Sequence, residues 1–387
     1  MKIKALKTAV LWLLTFAVFL CLVGCSEPEE DWSDGNSVFT EDFLMPDSSN
    51  SLNTAVTDGE NSDDEKKQSD KAQTQETFDA INPLTGEGCS ADRAQTRPVA
   101  IMINNIKDAL PQVGISEADI VYEVLAEGGI TRLLCVYNDY KNIAEIGSIR
   151  SARDYFIDLS DAHGAIYVHA GSSTYARTAI ASRGTNNIDG FYMGNFYRSP
   201  ERRKTMALEH TMVISGKGLS QNIAIKGYET VSDKKQPLAF YSTQITPKGN
   251  EAGYIEVPFS LAYKTNPYAV SFFNYNEDTG LYKKGHFGAD HIDGDDMSAL
   301  EFRNVLVLEC AQSTIPADAL RCIKVDFTGK GKGKFFTAGK EIDIVWKKNS
   351  RTEGYTLYES DGNTLLRLNP GKSYIALVPT GTTITTK

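Results

Sequence analysis

The first 25 residues of this chain constrain it more than any other segment, because they decide where the rest folds. Lys2, Lys4 and Lys7 precede an apolar run that closes on Leu-Val-Gly-Cys at residues 22–25. Positive charge, a short apolar stretch and a small residue at the cut site are typical of an export signal. A cysteine directly after the small residue adds the signature of lipid attachment. We therefore predict a lipoprotein signal peptide over residues 1–24 and lipidation of Cys25.

A lipid on Cys25 predicts a cell-membrane protein whose remaining residues work on the extracytoplasmic face. Each buried methylene of an acyl chain such as palmitate contributes about 0.8 kcal/mol, so two or three chains hold a protein at the membrane almost permanently. A plain transmembrane anchor is the alternative, but the apolar run is marginal in length for a membrane span. Nucleotides and nucleic acids of the cytosol are then excluded as ligands. We expect no nucleic-acid partner and no cofactor.

Charge divides the exported part into two unequal segments. Residues 26–80 hold 16 acidic residues against three lysines, whereas residues 81–387 hold 34 residues of each sign. The acidic segment has too few apolar residues to offset the entropy that ordering would cost. We predict a disordered acidic tether over residues 25–92. The rest lacks the basic excess that marks a general nucleic-acid binder.

The length of the chain after the tether, about 295 residues, favours two domains over one hydrophobic core. Over residues 93–250, strand patterns and helical patterns are interleaved without a regular βαβ repeat. The strands are expected at 99–103, 118–125, 130–137 and 165–170, and the helices at 151–159, 173–181 and 218–225. Ser151 is the expected N-cap of the first helix. This mixture predicts an N-terminal α/β layered domain and an α+β class for the chain.

The second domain, over residues 260–387, is predicted to be smaller and rich in strands. Short apolar stretches alternate there with turn signals such as Asp361-Gly362-Asn363, which is typical of a β-sandwich or barrel. The strands are expected at 269–275, 281–284, 304–309, 322–327, 333–336, 341–346, 355–358 and 373–378.

The cysteines leave one question open and give no metal site. A hairpin could bring Cys310 and Cys322 together, and export permits a disulfide. Two separate, half-buried thiols are the other interpretation. There is no Cys-x-x-Cys pair and no zinc-like spacing of histidine and cysteine, so we predict no metal site.

A series of motifs resembles the YerB-like family of bacterial lipoproteins over most of residues 97–380. The motifs are RPVAIMINN at 97–105, PQVG at 111–114, ADIVYE at 118–123, EGGITR at 127–132, IGSIRSAR at 146–153, GKGK at 331–334, WKK at 346–348 and LNPG at 368–371. The resemblance implies a two-domain lipoprotein on the outer face of the membrane, mainly in Gram-positive bacteria. It implies no reaction, since the biochemical function of that family is unknown.

The chain departs from the pattern of that family at two places. Asn104-Asn105 stands where the family usually has Asp-Asn, and Glu209-His210-Thr211 stands where Pro-His-Asn is expected. If the chemistry of the family needs the aspartate, this member binds without catalysing. We therefore include Asn104, Asn105 and His210 among the candidate ligand-binding residues and name no catalytic residue.

Arg150 and Arg153 are the sharpest candidates for a binding site. Both are predicted where a loop enters a helix, so their guanidinium groups would join the helix N–H groups in attracting a phosphate or carboxylate. Arg132 follows a glycine turn and is expected nearby. The alternative is internal pairing, with the two arginines of the helix start bridging Glu123 and Glu127. Glu123 and Glu127 are also candidate ligand-binding residues themselves, because two carboxylates could supply a metal or an acid/base pair.

His169 is a second, weaker candidate for ligand binding. It ends a predicted strand before Gly171-Ser172-Ser173, whose N–H groups and hydroxyls could face an anion. A structural histidine is the alternative. A hydrolase built on Ser172 would lack the Gly-x-Ser-x-Gly elbow.

These observations favour a binding or scaffolding lipoprotein of the cell envelope, with an anionic envelope ligand or a protein partner. Two alternatives remain open. One is an envelope enzyme acting on a polyprenyl-pyrophosphate-linked or other phosphorylated substrate, from a short likeness of Ser-Ile-Arg-Ser-Ala-Arg (148–153) to a segment of LytR-CpsA-Psr glycopolymer transferases. The other is a partner module that uses free strand edges of the β-rich domain. We expect that the chain is not an enzyme.

Overall fold

The fold is described from a computed structural model that covers residues 78–261, 269–316 and 318–387. The signal peptide, Cys25 and most of the predicted tether lie outside the described residues. Within the described ranges, no helix has the length and apolar character needed to cross a membrane.

The N-terminal part contains ten strands and four helices in the described residues. In chain order they are β1 (Ala80–Ile81), β2 (Gly88–Cys89), α1 (Ala91–Gln95), β3 (Val99–Asn104), β4 (Ile120–Leu125), β5 (Thr131–Tyr137), β6 (Ile146–Gly147), α2 (Asp154–His163), β7 (Ile166–His169), α3 (Thr174–Arg183), β8 (Asn187–Asp189), β9 (Phe196–Arg198), β10 (Met212–Ile214) and α4 (Gly216–Lys226).

The C-terminal part consists of strands in the ranges that the structure describes. They are β11 (Asn250–Glu251), β12 (Tyr254–Pro258), β13 (Val270–Asn276), β14 (Leu281–His286), β15 (Ala289–Asp290), β16 (Glu301–Phe302), β17 (Asn304–Thr314), β18 (Ile323–Asp326), β19 (Gly329–Thr337), β20 (Lys340–Lys348), β21 (Thr356–Glu359), β22 (Ser373–Pro379) and β23 (Thr385–Thr386).

One twelve-stranded mixed sheet runs through both parts. Its order is β11-β20-β19-β17-β22-β4-β5-β3-β7-β8, with β18 paired to β17 and β21 paired to β20. The two parts meet where β22 pairs in parallel with β4, from Ser373 opposite Ile120 to Leu377 opposite Val124. Every residue of β3, β5 and β22 is buried. Strands that are buried on both faces need such unbroken apolar runs.

Each face of this sheet is covered by a different layer. Helix α2 packs on one face through Tyr155, Phe156 and Leu159. On the other face lie α4 and a six-stranded sheet of β12, β13, β14, β15, β16 and β23. The fold is therefore α+β, as predicted, but richer in strand than the alternation in the sequence indicates.

The helix starts show where local sequence patterns succeed and fail. The helix predicted over 173–181 forms as α3, where Ser173 is the N-cap that accepts the N–H of Ala176 and Gly184 ends the helix in the left-handed conformation. The predicted N-cap Ser151 is wrong, because α2 begins three residues later with Arg153 at its N-cap. Residues 150–152 are extended instead and form backbone hydrogen bonds with other segments of the same chain. Ala152 and Ser172 form an isolated β-bridge there.

The tether prediction is wrong for residues 78–92. Strands β1 and β2 pair there, and the side chains of Leu84 and Cys89 are buried. Asn82 donates to Asp119 at 2.9 Å, which ties this short segment to the start of β4. Few apolar residues are enough to order it because it packs on a core that already exists.

The cysteines of the described residues, Cys89, Cys135, Cys310 and Cys322, are all buried free thiols. The hairpin of β17 and β18 forms, but Thr314 lies opposite Ile323 and Ala311 opposite Asp326. This register sets Cys310 and Cys322 at opposite ends of the pairing. The interpretation as two separate thiols is therefore confirmed.

The contact between β22 and β4 predicts that the two parts unfold together. Ile375 lies in β22 with no exposed surface, so Ile375→Ala should lower the free energy of unfolding by about 2–5 kcal/mol. Urea denaturation followed by circular dichroism measures this loss. Val231→Ala, at an exposed position, is the control and should change stability by less than about 0.5 kcal/mol. A loss below about 1 kcal/mol for Ile375→Ala would contradict the buried contact.

Candidate functional site

The candidate residues of the N-terminal part meet at one edge of the large sheet. Strands β3, β7 and β8 run parallel, and both β3 and β4 run antiparallel to β5. The carboxyl ends of β3, β4, β7 and β8 therefore lie at the same edge as the start of β5. Ligands of open α/β sheets bind outside this kind of edge. Asn104, Glu127, Arg132 and His169 all lie along it.

Four arginines and one glutamate form what we call the arginine cluster: Arg132, Arg150, Arg153, Arg198 and Glu127. Arg153 grips Glu127 with two guanidinium nitrogens, Nε on Oε1 and Nη2 on Oε2 at 2.9 Å. Arg132 approaches the same carboxylate at 3.7 Å. The predicted pairing of Arg153 with Glu127 is therefore present. The glycine turn before Arg132 also forms, with Gly128 at φ 69°.

Backbone pairing fixes the position of Arg150. Its N–H donates to the carbonyl of Met102 at 3.0 Å, and its own carbonyl accepts the N–H of Ala170 at 3.1 Å. The residue thus lies between the ends of β3 and β7. It does not lie in the first turn of α2, so the expected support from helix N–H groups applies to Arg153 alone.

Arg150 and Arg198 have only neutral partners. The guanidinium of Arg150 donates to the carbonyl of Glu209 at 3.2 Å, and that of Arg198 donates to the carbonyl of Leu208 at 2.7 Å. Among the described residues, no carboxylate lies within ion-pair distance of either one. The predicted bridge from Arg150 to Glu123 is absent.

Mutual repulsion within the cluster appears in its pKa values. Burial, together with Arg153, lowers the pKa of Arg132 to about 10. Burial also lowers the pKa of Arg150, with Glu209 opposing this shift and Arg153 adding to it, and burial lowers the pKa of Arg198, with Arg150 and Arg203 adding. Counting Glu127 and the nearby Glu209, the cluster has a net charge of about +2. An anion placed there would relieve this repulsion.

Arg132 also has an unused donor. Its side chain is 7% exposed, and one terminal nitrogen donates to the carbonyl of Ser151 at 2.7 Å. Its Nε is buried without a hydrogen-bond partner in the described part of the chain. A buried donor without a partner costs about 1–3 kcal/mol, so this atom favours a ligand that supplies an acceptor.

Glu123 lies away from the arginine cluster, on the other face of the sheet. Its carboxylate is fully buried and lies 3.4 Å from Nζ of Lys284, which is also fully buried. The remaining donors to Glu123 are Asn105 at 3.0 Å, Thr131 at 2.6 Å, Ser271 at 2.9 Å and Tyr374. Glu123 and Asn105 thus share one buried network, and sequence patterns did not identify Lys284 as their partner.

The two departures from the family pattern are in contact. The amide of Asn104 lies 3.0 Å from Nδ1 of His210. Burial, together with Arg150, lowers the pKa of His210, so the ring is neutral near pH 7 and accepts from the asparagine. The backbone carbonyl of Asn104 accepts from Gln112, which also contacts His291 at 2.7 Å. The pair of Asn104 and His210 is therefore joined to the Glu123 network by hydrogen bonds, since Gln112 also donates to Asn105 at 3.1 Å.

His169 lies at a separate cleft at the ends of β7 and β8. Its ring nitrogens contact the carbonyl of Gly171 at 2.8 Å and Oδ1 of Asn187 at 3.2 Å, and Asp189 is 3.7 Å away. The cleft has a volume of about 630 Å³. Phe191 and Tyr192 border it, and neither stood out in the sequence because isolated aromatics resemble core residues. Arg198 is one of several basic residues that crowd positions 177–204, and the sequence did not single it out from the others as a cluster member.

No group of three or more histidine, cysteine, aspartate or glutamate side chains in the described ranges is arranged to hold a metal ion.

Comparison with known proteins places these residues in a family. The N-terminal domain of DUF3048, a family of proteins of unknown function, matches residues 84–229, and its C-terminal domain matches residues 259–375. A Bacillus subtilis (strain 168) protein named "Putative lipoprotein YerB" is 30% identical over 304 residues, which are 77% of this chain and 86% of that protein. The crystal structure of YerB from Bacillus subtilis matches with a TM-score of 0.69 and 28% identity, over 79% of this chain and all of the solved one.

The ion pair of Arg153 with Glu127 predicts how the free energy of unfolding changes as the pH falls. Burial would raise the pKa of Glu127, but Arg153 and Arg132 outweigh burial and hold it below its ordinary value of 4.5. A carboxylate with a lowered pKa contributes stability above its unfolded pKa and loses it as the pH falls through the folded value. Glu127→Gln should therefore cost about 1–3 kcal/mol at pH 7, and the difference from wild type should shrink below about pH 4.5.

Urea denaturation between pH 7 and pH 3 tests this prediction. Glu201→Gln is the control, because its pair with Lys204 is exposed and should contribute less than about 0.5 kcal/mol. A loss that stays constant from pH 7 to pH 3 would show that the charge of Glu127 is not responsible.

Proposed function

The chain belongs to the YerB-like DUF3048 family of proteins of unknown function, and on that premise we propose that it is a lipid-anchored envelope protein that binds an anionic ligand at the arginine cluster. The name of its Bacillus relative and the Leu-Val-Gly-Cys motif at residues 22–25 both support the anchor. Attachment through Cys25 places the folded part outside the cytoplasm. The expected ligand is then an anionic component of the cell envelope.

The half-buried guanidinium of Arg150 is the observation that carries the proposal. It is held by backbone pairing, repelled by Arg153, attracted by the exposed carboxylate of Glu209 without forming an ion pair, and hydrogen-bonded only to a neutral carbonyl. Removing a cation from water is costly unless a counter-ion replaces the lost solvation. A ligand anion would supply that counter-ion.

The net charge of the cluster indicates what kind of anion fits. Glu127 and the nearby Glu209 offset two of its four arginines, which leaves about two positive charges. A phosphate group carries close to two negative charges and accepts several hydrogen bonds. Guanidinium groups bind phosphate with two parallel hydrogen bonds. We therefore favour a phosphorylated ligand over a simple carboxylate.

Loss of Arg150 should weaken the binding of such a ligand. Isothermal titration with inorganic pyrophosphate as the probe should show affinity for wild type and a loss of about 10–100-fold for Arg150→Ala, the value of one charge-assisted hydrogen bond. Arg367→Ala is the matched control, since it removes an exposed arginine that contacts the carbonyl of Phe240. Equal affinity in wild type and Arg150→Ala would refute the site. Release of inorganic phosphate during the titration would favour an enzyme instead.

Lipid attachment has its own prediction. Cys25→Ser should move the protein from the membrane fraction to the soluble fraction and abolish incorporation of labelled palmitate. The control is Cys21→Ser, where Phe19 and Leu20 take the place of the small residues that a signal peptidase needs. Continued palmitate labelling of Cys25→Ser would place the lipid elsewhere.

A further inference from the structure

Two aromatic side chains next to the His169 cleft are unusually exposed. Phe191 has 60% of its surface exposed and Tyr192 has 85%. They are neighbours in the connection between β8 and β9. Contiguous apolar surface on a soluble protein marks sites of interaction more often than chance.

The loop that carries these rings is ordered by specific contacts. The side chain of Asp189 accepts the N–H of Phe191 at 3.1 Å, and its carbonyl accepts those of Tyr192 and Met193 at 3.0 Å. Met193 packs against the core, and Asn222 of α4 donates to Gly194 at 2.7 Å. The rings are thus presented by a fixed backbone. A fixed platform loses less entropy on binding than a mobile loop.

A glycine sets the position of the Phe191 ring. A Cβ atom at Gly171 would lie 2.7 Å from Cε2 of Phe191, so the ring rests directly on the backbone there. Gly171 also has φ 71°, a conformation that other residues seldom adopt. Gly171 and Phe191 both line the cleft, so this contact sets the ring at its wall.

The rest of the cleft is polar and carries positive charge. The side chain of Asp189 is 13% exposed, and its Oδ1 accepts hydrogen bonds from two backbone N–H groups. Asn187 and Ser151 line the same cleft. Arg177 of α3 and Lys226 of α4 line the same cleft. Aromatic surface, amide and carboxylate groups and two cations therefore surround one volume of about 630 Å³.

We propose that this cleft binds a saccharide that carries negative charge, with a sugar ring stacked on Phe191 and Tyr192 and its acidic group facing Arg177 and Lys226. The face of an aromatic ring is electron-rich and attracts the C–H groups of a sugar face. Sugar hydroxyls both donate and accept, which suits Asp189 and Asn187 together. A peptide is less suited, because its backbone would need a row of partners along a strand edge, and the rings project from a loop.

The location is consistent with a binding site of this kind. The cleft opens at the carboxyl ends of the parallel strands β7 and β8, where ligands of α/β sheets bind. Ser151 in the cleft directly follows Arg150 of the arginine cluster along one extended segment. The saccharide site does not depend on the proposed anion site, because no residue of the arginine cluster lines the cleft.

Titration with two soluble oligosaccharides tests the proposal on the whole protein. The acidic probe is a tetrasaccharide that contains glucuronic acid, and the neutral probe is a tetrasaccharide of N-acetylglucosamine. Calorimetry and saturation-transfer NMR should show binding that is tighter for the acidic probe. Phe191→Ala/Tyr192→Ala should weaken it at least tenfold, and Arg177→Gln should weaken the acidic probe severalfold.

Two further variants distinguish binding in this cleft from binding elsewhere on the protein and from misfolding. Phe78→Ala removes an equally exposed ring that does not line the cleft and should leave binding unchanged. Tyr192→Ala alone changes a position that is almost fully exposed and should not disturb folding, so weaker binding by this single variant cannot be attributed to misfolding. The proposal is overturned if neither sugar binds at millimolar concentration, if the aromatic variants bind as wild type does, or if only peptides bind.

Discussion

One buried carboxylate joins the layers of this protein. Glu123 extends from β4 of the large sheet toward the smaller sheet and receives hydrogen bonds or charge from Asn105, Thr131, Ser271, Lys284 and Tyr374. These donors come from the end of β3 and from four further strands, in both the N-terminal and the C-terminal parts. Burial would raise the pKa of Glu123, but Lys284 and the other donors hold it below its usual range. An ionised group in an apolar core is tolerated only with such complete compensation.

The arginine cluster is built on the opposite principle. Around Glu123 each charge is matched, whereas Arg150 and Arg198 are held close together with neutral partners only. Positive charges kept near each other destabilise the empty protein, and that stored repulsion is released when an anion enters. A hydrogen-bond path through Gln112 and His291 leads from Asn104, which lies opposite Arg132 in the pairing of β3 and β5, to Lys284 of the Glu123 network. Compensated and uncompensated charges therefore lie in neighbouring parts of the fold.

Sequence patterns predicted the parts of this fold that depend on local information. The strand pattern at 99–103 and the helical pattern at 173–181 reflect neighbours within a few residues, and both match the structure. The predicted start of α2 does not match the structure. Residues 150–152 form backbone hydrogen bonds with Met102 and Gly171 in place of those of a helix. The strand order β17-β22-β4 also depends on the pairing of β22 with β4, whose partner residues lie more than 200 positions apart in the sequence. No periodicity in a single sequence encodes such a pairing.

The candidate residues show the same division. The pairing of Arg153 with Glu127 was one of the sequence interpretations, and the structure contains it. The predicted arginine partner of Glu123 is wrong, because its ion-pair partner is Lys284. That residue lies 161 positions away on a strand whose pattern gives no sign of a buried amine. Phe191 and Tyr192 carry no local signal either, because exposure is a property of the folded surface.

No disulfide joins the cysteines in the described part of this fold. Burial raises the pKa of Cys135 and Cys310 to about 12 and also raises that of Cys89 and Cys322, so reactive thiolate is scarce at every one of these positions. The folded part then needs no disulfide to form, and a thiol reductant has no cross-link to break in the described residues. Its cohesion comes from sheet pairing and packed side chains, which operate equally under aerobic and anaerobic growth.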